Sequence, residues 1–288
     1  MGTEIFQTIR RDSVISFPFL GLELDPPSYF TLFGKNIYFY GVIIAVGFLL
    51  AILYCAKNSK HFGIEEDDVY DVIIWLIPLS IIGARAYFVL FRLDEYLAEP
   101  AKIFAIREGG LAIYGGVIVG VLTAILVCRH KKIPFAAMLD LLIYGLLIGQ
   151  IIGRWGNFMN REAFGAQTEI FCRMGLTSPD GETIYVHPTF LYESLWNVMG
   201  FVILTVFRRK GLRRYDGQCT LLYFFIYGLG RAWIEGLRTD SLYIGHSDIR
   251  VSQALSIVMV LVSGILLFVQ SKREHNPMFC DRRSSDAS

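Results

Sequence analysis

The stretch CRHKKIPFAAMLDLLIYGLLIGQIIGRW, residues 128–155, decides the architecture. The bases Arg129, Lys131 and Lys132 are followed, from Pro134 to Trp155, by a run whose strongly polar members are only Asp140, Gln150 and Arg154. As a helix rising about 1.5 Å per residue, it is long enough to cross the roughly 30 Å hydrocarbon layer of a bilayer. A helix on the surface of a soluble bundle carries a polar face to meet water, and this run has none. Working outward, six further runs lie at about 37–56, 70–91, 111–128, 189–207, 218–237 and 252–270. The expected fold is therefore an all-α polytopic membrane protein with seven transmembrane helices.

Composition agrees. Of 288 residues, 54% belong to the set AVILMFWYC and 18% are charged, where soluble domains average about 25% charged. The mean hydropathy is +0.47. A net charge of +1 offers no bulk field to a polyanion, so a nucleic-acid-binding role is excluded. The five cysteines have no ligand-like spacing, and no metal site or cofactor is expected.

Seven spans place successive connections on alternating sides. Connections 57–69, 129–133 and 208–217, together with the tail, hold 14 basic residues close to span ends; the other set holds 10 over longer segments. The excess assigns the first set to the cytoplasm, which puts the N-terminus outside and the C-terminus inside. The start, MGTEIFQTIRRDS, has neither the apolar region of a cleavable signal nor the pattern of a myristoylation site, so the first span is its own targeting signal. Residues 1–36 read as an external lip or interfacial segment. Residues 37–270 form the membrane domain, with 156–188 as a small external subdomain carrying a turn at TSPDG, 177–181. The charged tail, 271–288, is expected to be cytoplasmic and without structure.

Function is signalled by polar groups at membrane depth, where an arginine costs about 2.5–3.5 kcal/mol on insertion scales. Three arginines meet that description: Arg85, Arg154 and Arg231. For Arg85, snorkelling or a structural pairing weighs as much as a substrate contact. The segment YGLGRAWIEGLR puts Tyr227, Arg231, Glu235 and Arg238 on one helix face. Should Arg231 and Glu235 neutralise each other, Arg238 remains free to meet an anion. The segment GQIIGRWGNFMNREAFG, 149–165, offers Arg154, Asn157, Asn160 and Glu162. An arginine beside an amide suits a phosphodiester, and Glu162 is placed to orient an arginine. In EGGLAIYGG, 108–116, the glycines favour close packing and present Tyr114 to a cavity; HPTFLYE, 187–193, sets His187 just outside the fifth span. Such a cationic, hydroxyl-rich cavity fits the head group of an anionic phospholipid. A lipid-using transferase and a transporter or flippase for an anionic amphiphile both remain open, although no internal repeat supports the second.

These same elements resemble bacterial prolipoprotein diacylglyceryl transferases. GRWGNFMNREAFG, 153–165, keeps every fixed position of the pattern GRxGNFxNxExxG. Tyr40-Gly41, GAR at 83–85, EGGLAIYGG, HPTFLYE and YGLGRAWIEGLR support it, so the likeness runs from about 37 to 270. The resemblance implies an enzyme of the bacterial inner membrane that moves the sn-1,2-diacylglyceryl group of phosphatidylglycerol to the lipobox cysteine of a prolipoprotein. A thioether forms and glycerol 1-phosphate leaves. It also implies that Arg154 and Arg231 stabilise the departing phosphate, with Arg238 and Asn157 assisting, while Glu162 and Glu235 orient them. Tyr40 and Tyr227 then line the head-group pocket, with Asn160, Gly165, Arg85 and His187 as further substrate contacts. Tyr114 stands where many family members carry a histidine, and a phenol with a pKa near 10 is a better hydrogen-bond partner than a base.

Overall fold

The computed structural model describes residues 13–106, 109–243 and 249–286. Arg10, Arg11 and Arg107 of the charge count, and Glu108 of the glycine-rich element, lie outside the described residues. All seven apolar runs form helices: α1 (Phe39–Asn58), α2 (Glu66–Leu90), α4 (Ile113–His130), α5 (Phe135–Asn160), α6 (Thr189–Arg209), α7 (Gln218–Leu237) and α8 (Val251–Ser271). A short α3 (Leu93–Ala98) follows α2, and α9 (Phe279–Asp286) closes the chain. Among the described residues, six helices are long and apolar enough to cross a membrane, namely α1, α2, α4, α5, α6 and α8. The chain is thus a polytopic membrane protein with a helical membrane body. Helix α7 has the length, 20 residues, but its charged face lowers its hydropathy.

Two compact units divide the chain. The first comprises Met1–Ala51 and Ile143–Asn276, the second Ile52–Leu142 and Pro277–Ser288. In the first, segments expected as lip and loop form β-structure that the helical reading did not anticipate. Strands β1 (Val14–Phe17), β2 (Leu22–Leu24), β5 (Met174–Thr177) and β6 (Thr183–Val186) make an antiparallel sheet in the order β2-β1-β5-β6. Ile15 pairs with Leu176, so strands from the N-terminal segment and from 156–188 belong to one sheet. Its core is Ile15, Leu176, Val186 and Phe190, all buried. The TSPDG turn joins β5 to β6, with Gly181 at φ +87°. A separate hairpin, β3 (Tyr29–Leu32) and β4 (Lys35–Tyr38), runs directly into α1.

In the second unit α2 lies along α4. The approach is close: a Cβ added at Gly120 would stand 2.7 Å from the Ser80 hydroxyl. At the ends of these helices Lys131 pairs with Asp68 at 3.3 Å and with Asp71. The tail departs from its expected lack of structure. Helix α9 carries Arg283, whose guanidinium bonds the Gly63 carbonyl and the Glu65 carboxylate, both at 3.1 Å. These contacts supply an order that a charged eight-residue segment does not have alone.

Candidate functional site

Helix α5 continues through Asn157, so Arg154 and Asn157 sit one turn apart on one face. Arg154 Nη1 donates to Asn157 Oδ1 at 3.4 Å. Beyond the helix the backbone turns back through positive φ at Arg161 (51°) and Ala163 (57°). This returns Glu162 over the last turn, where its Oε1 accepts from Asn157 Nδ2 at 2.9 Å and from Asn160 Nδ2 at 3.4 Å. Glu162 thus reaches Arg154 through the Asn157 amide.

The centre of the site is Glu193, in the first turns of α6 and 4% exposed. Arg154 Nη2 meets its Oε2 at 2.7 Å. Arg231 Nη1 bonds both oxygens, at 3.1 and 3.0 Å. Arg238 Nη1 bonds Oε1 at 3.1 Å. Three guanidiniums from two helices therefore converge on one buried carboxylate. Removing a partner from such a group costs several kcal/mol, about 3–5 in measured cases, because charge is left buried and unpaired. Arg231 also pairs with Glu235 at 2.6 Å, as the i,i+4 spacing allows. Arg250 donates to the Glu235 carbonyl and steadies that end of α7.

Arg238 is not the free cation the spacing suggested. Just past the helix end, Asp240 takes its Nε at 2.9 Å and its Nη2 at 2.6 Å in a two-pronged pairing, while Glu193 takes Nη1. Burial works to raise the Asp240 carboxyl, but the hydrogen bond and charge of Arg238 outweigh it and hold that group below the usual carboxylate range.

Gly165 serves as a crossing point. Its backbone pairs with Arg238 in an antiparallel bridge. A Cβ there would lie 2.7 Å from the His187 Cβ and 2.9 Å from the Leu237 carbonyl, so a side chain would push the segment off the end of α7. The Tyr40 ring packs against Gly156. Tyr227 stacks on Tyr223, with ring centroids 5.4 Å apart, and lines a small internal cavity with Glu193, Asn197 and Arg231. His187 Nδ1 lies 3.4 Å from the Tyr192 hydroxyl, which lies 3.6 Å from Cys172 Sγ. Burial pushes the His187 imidazole below its ordinary pKa and favours its neutral form. Among the described residues, no group of three or more His, Cys, Asp or Glu is arranged to hold a metal.

Arg85 and Tyr114 belong to the second unit. Arg85 is 6% exposed, and its donors go to backbone carbonyls: Nε to Ile103, Nη1 to Gly109 and Gly110, and Nη2 to Lys102, at 2.5–2.9 Å. It staples the segment before α4, with four of its five N–H groups on backbone carbonyls. Tyr114 stands in the first turn of α4 and is about half exposed.

Glu193 closes the HPTFLYE element, inside the fifth apolar run, and is a site residue that the reading of the sequence leaves without a role. The available signal was a carboxylate in an apolar span, which needs a cation from another helix.

The prolipoprotein diacylglyceryl transferase family model matches residues 27–269. The chain is 42% identical over 245 residues to the phosphatidylglycerol–prolipoprotein diacylglyceryl transferase of Finegoldia magna, covering 85% of this chain and 95% of that one. It is 43% identical over 260 residues to the protein of the same name from Enterococcus faecalis, covering 88% and 93%. The corresponding figures for Clostridioides difficile are 43% over 248 residues, covering 86% and 96%. With most of its length matched by the family and by these relatives, the chain belongs to the prolipoprotein diacylglyceryl transferase family.

Proposed function

We propose that Arg154, Arg231 and Arg238, gathered on Glu193, are the phosphate-handling centre of a diacylglyceryl transfer. The chain is an enzyme of the bacterial inner membrane that transfers the diacylglyceryl group of phosphatidylglycerol to the lipobox cysteine of prolipoproteins. The observation that carries the placement is the convergence of three guanidiniums on one buried carboxylate. A lipid phosphate offers these donors the same oxygen geometry as the carboxylate they already hold.

In the reaction the cysteine thiolate attacks glycerol C3. The C–S bond forms as the C3–O bond to phosphate breaks, and glycerol 1-phosphate leaves with the bonding pair. Charge grows on the departing oxygen, where fixed guanidiniums in a water-poor site stabilise it most. A free thiol with a pKa near 8.5 ionises more readily beside such cations. Glu235 and Glu162, the latter through Asn157, hold the arginines in place. Tyr40, Tyr227 and Asn160 shape the head-group pocket, and Tyr114 hydrogen-bonds the lipid or the incoming peptide. The reaction as drawn calls on no metal or cofactor.

The topology belongs to the same reading. Counting α7 as a span gives seven, with the N-terminus outside and the tail inside by the distribution of Lys and Arg. The sheet subdomain and the ends of α5 and α7 then lie at the outer face, beside the lipobox.

The test is direct. Purified protein with phosphatidylglycerol and a lipobox peptide is expected to yield a thioether-linked diacylglyceryl peptide and glycerol 1-phosphate. Lipid movement in liposomes without peptide modification would instead make the chain a carrier.

A further inference from the structure

We infer that Arg161 is a positioning residue for the transfer, acting through Glu162 to set the geometry of Asn157 and Arg154. This rests on the phosphate-handling centre proposed above. The pattern GRxGNFxNxExxG leaves position 161, here an arginine, unspecified. Its side chain is only 1% exposed. Nε donates to the Ser13 carbonyl at 2.9 Å, Nη1 to the Met159 carbonyl at 2.8 Å, and Nη2 to Asp25 Oδ1 at 2.9 Å. One guanidinium thereby ties the last turn of α5 to the residue just before β1 and to the segment after β2.

The backbone explains why a tie is needed. Glu162 stands between two non-glycine residues in the left-handed region, Arg161 and Ala163, a conformation that branched and ordinary side chains enter at a cost. Each flank is held from outside. On one side are the three Arg161 bonds; on the other, the Thr189 hydroxyl donates to the Ala163 carbonyl at 2.5 Å. The Glu162 side chain is exposed and bonds the two asparagine amides, its backbone N–H donates to the Asn157 carbonyl at 3.1 Å, and the flanks on either side fix the turn that brings it there. The N-terminal sheet thus reaches the arginine centre by a traceable path. It runs from Asp25 and Ser13 to Arg161, through the backbone to Glu162, and on through Asn157 to Arg154.

The experiment compares Arg161→Ala, Arg161→Gly and Asp25→Asn, each alone and combined with Glu162→Ala, in transfer assays with phosphatidylglycerol vesicles and a lipobox peptide. Arg161→Ala is expected to lower kcat about tenfold, with KM for the lipid moved by less than about twofold, as for a small misplacement of a reacting group. Arg161→Gly, which relieves the backbone cost, is expected to lose less. In the Glu162→Ala background, which removes the acceptor of the Asn157 and Asn160 amides, the Arg161→Ala loss is expected to vanish, since the path is already cut. Wild-type kcat in Arg161→Ala, or losses that multiply in the double variant, would overturn the inference. Should Arg161→Ala fail to fold, Asp25→Asn retains both carbonyl bonds; a fall of about two- to threefold that disappears in the Glu162→Ala background supports the path, and one that persists there contradicts it. Absence of transfer by the unmodified protein would instead defeat the proposed function.

Discussion

Two buried arginine settings in this molecule use the same side chain in opposite ways. In the second unit, the Arg85 guanidinium is spent on four backbone carbonyls. In the first, Arg154, Arg231 and Arg238 are spent on the carboxylates Glu193, Glu235 and Asp240. Carbonyls belong to the fold and cannot be exchanged for a ligand without unfolding a segment. A carboxylate is a side chain with the charge and oxygen spacing of a phosphate, and a substrate can compete with it. Depth in the membrane therefore marks an arginine as costly, while the nature of its partner tells a staple from a site.

The largest expected effect follows from the site half of this contrast. Arg154→Ala and Arg231→Ala should each lower kcat by about 10²–10³, the range found when a donor to developing charge is removed. Next comes the staple. Arg85→Ala leaves four carbonyls without their partner, at about 1–3 kcal/mol for each that stays buried, so thermal unfolding should report a loss of several kcal/mol. A fall in kcat of folded Arg85→Ala as large as that of Arg231→Ala would erase the distinction. Tyr114→Phe should cost less, about three- to tenfold in rate, because the phenol supplies a hydrogen bond; complete loss with lipid binding intact would make it an obligate base.

The smallest effect is a slope. Burial lowers the His187 pKa, so the unfolded chain binds more protons than the folded one as pH falls through the ordinary imidazole range. Stability should therefore be level above about pH 7 and decline as pH drops below about 6.5, and His187→Gln should flatten that slope. An unchanged slope in the variant would place its origin elsewhere.

Much of this was legible along the chain. The run 134–155 became α5, and 189–207 became α6 within two residues at its end, because an apolar span specifies its own helix. The strands were not legible. β1 is four residues long and its partner β5 lies more than 150 residues away, so no local period announces the pairing. The site was half readable: Arg154 with Asn157 and Arg231 with Glu235 are helical neighbours, and spacing suffices for them. Glu193 gathers arginines 38, 39 and 45 residues distant, an arrangement only packing reveals. Arg238 was misjudged because Asp240 lies beyond the helix, where face arithmetic ends. The tail helix was missed because its order comes from Gly63 and Glu65, not from its own composition.

The most direct test of the central claim is a single-turnover measurement of thioether formation by Arg154→Lys and Arg231→Lys, with phosphatidylglycerol bound and a lipobox peptide added. Lysine keeps the charge and loses the planar fork that serves two oxygens at once, so the account predicts a chemical step slowed by about a hundredfold or more at both positions. Rates close to those of the unmodified protein at both would show that shared guanidinium geometry does not carry the departing phosphate.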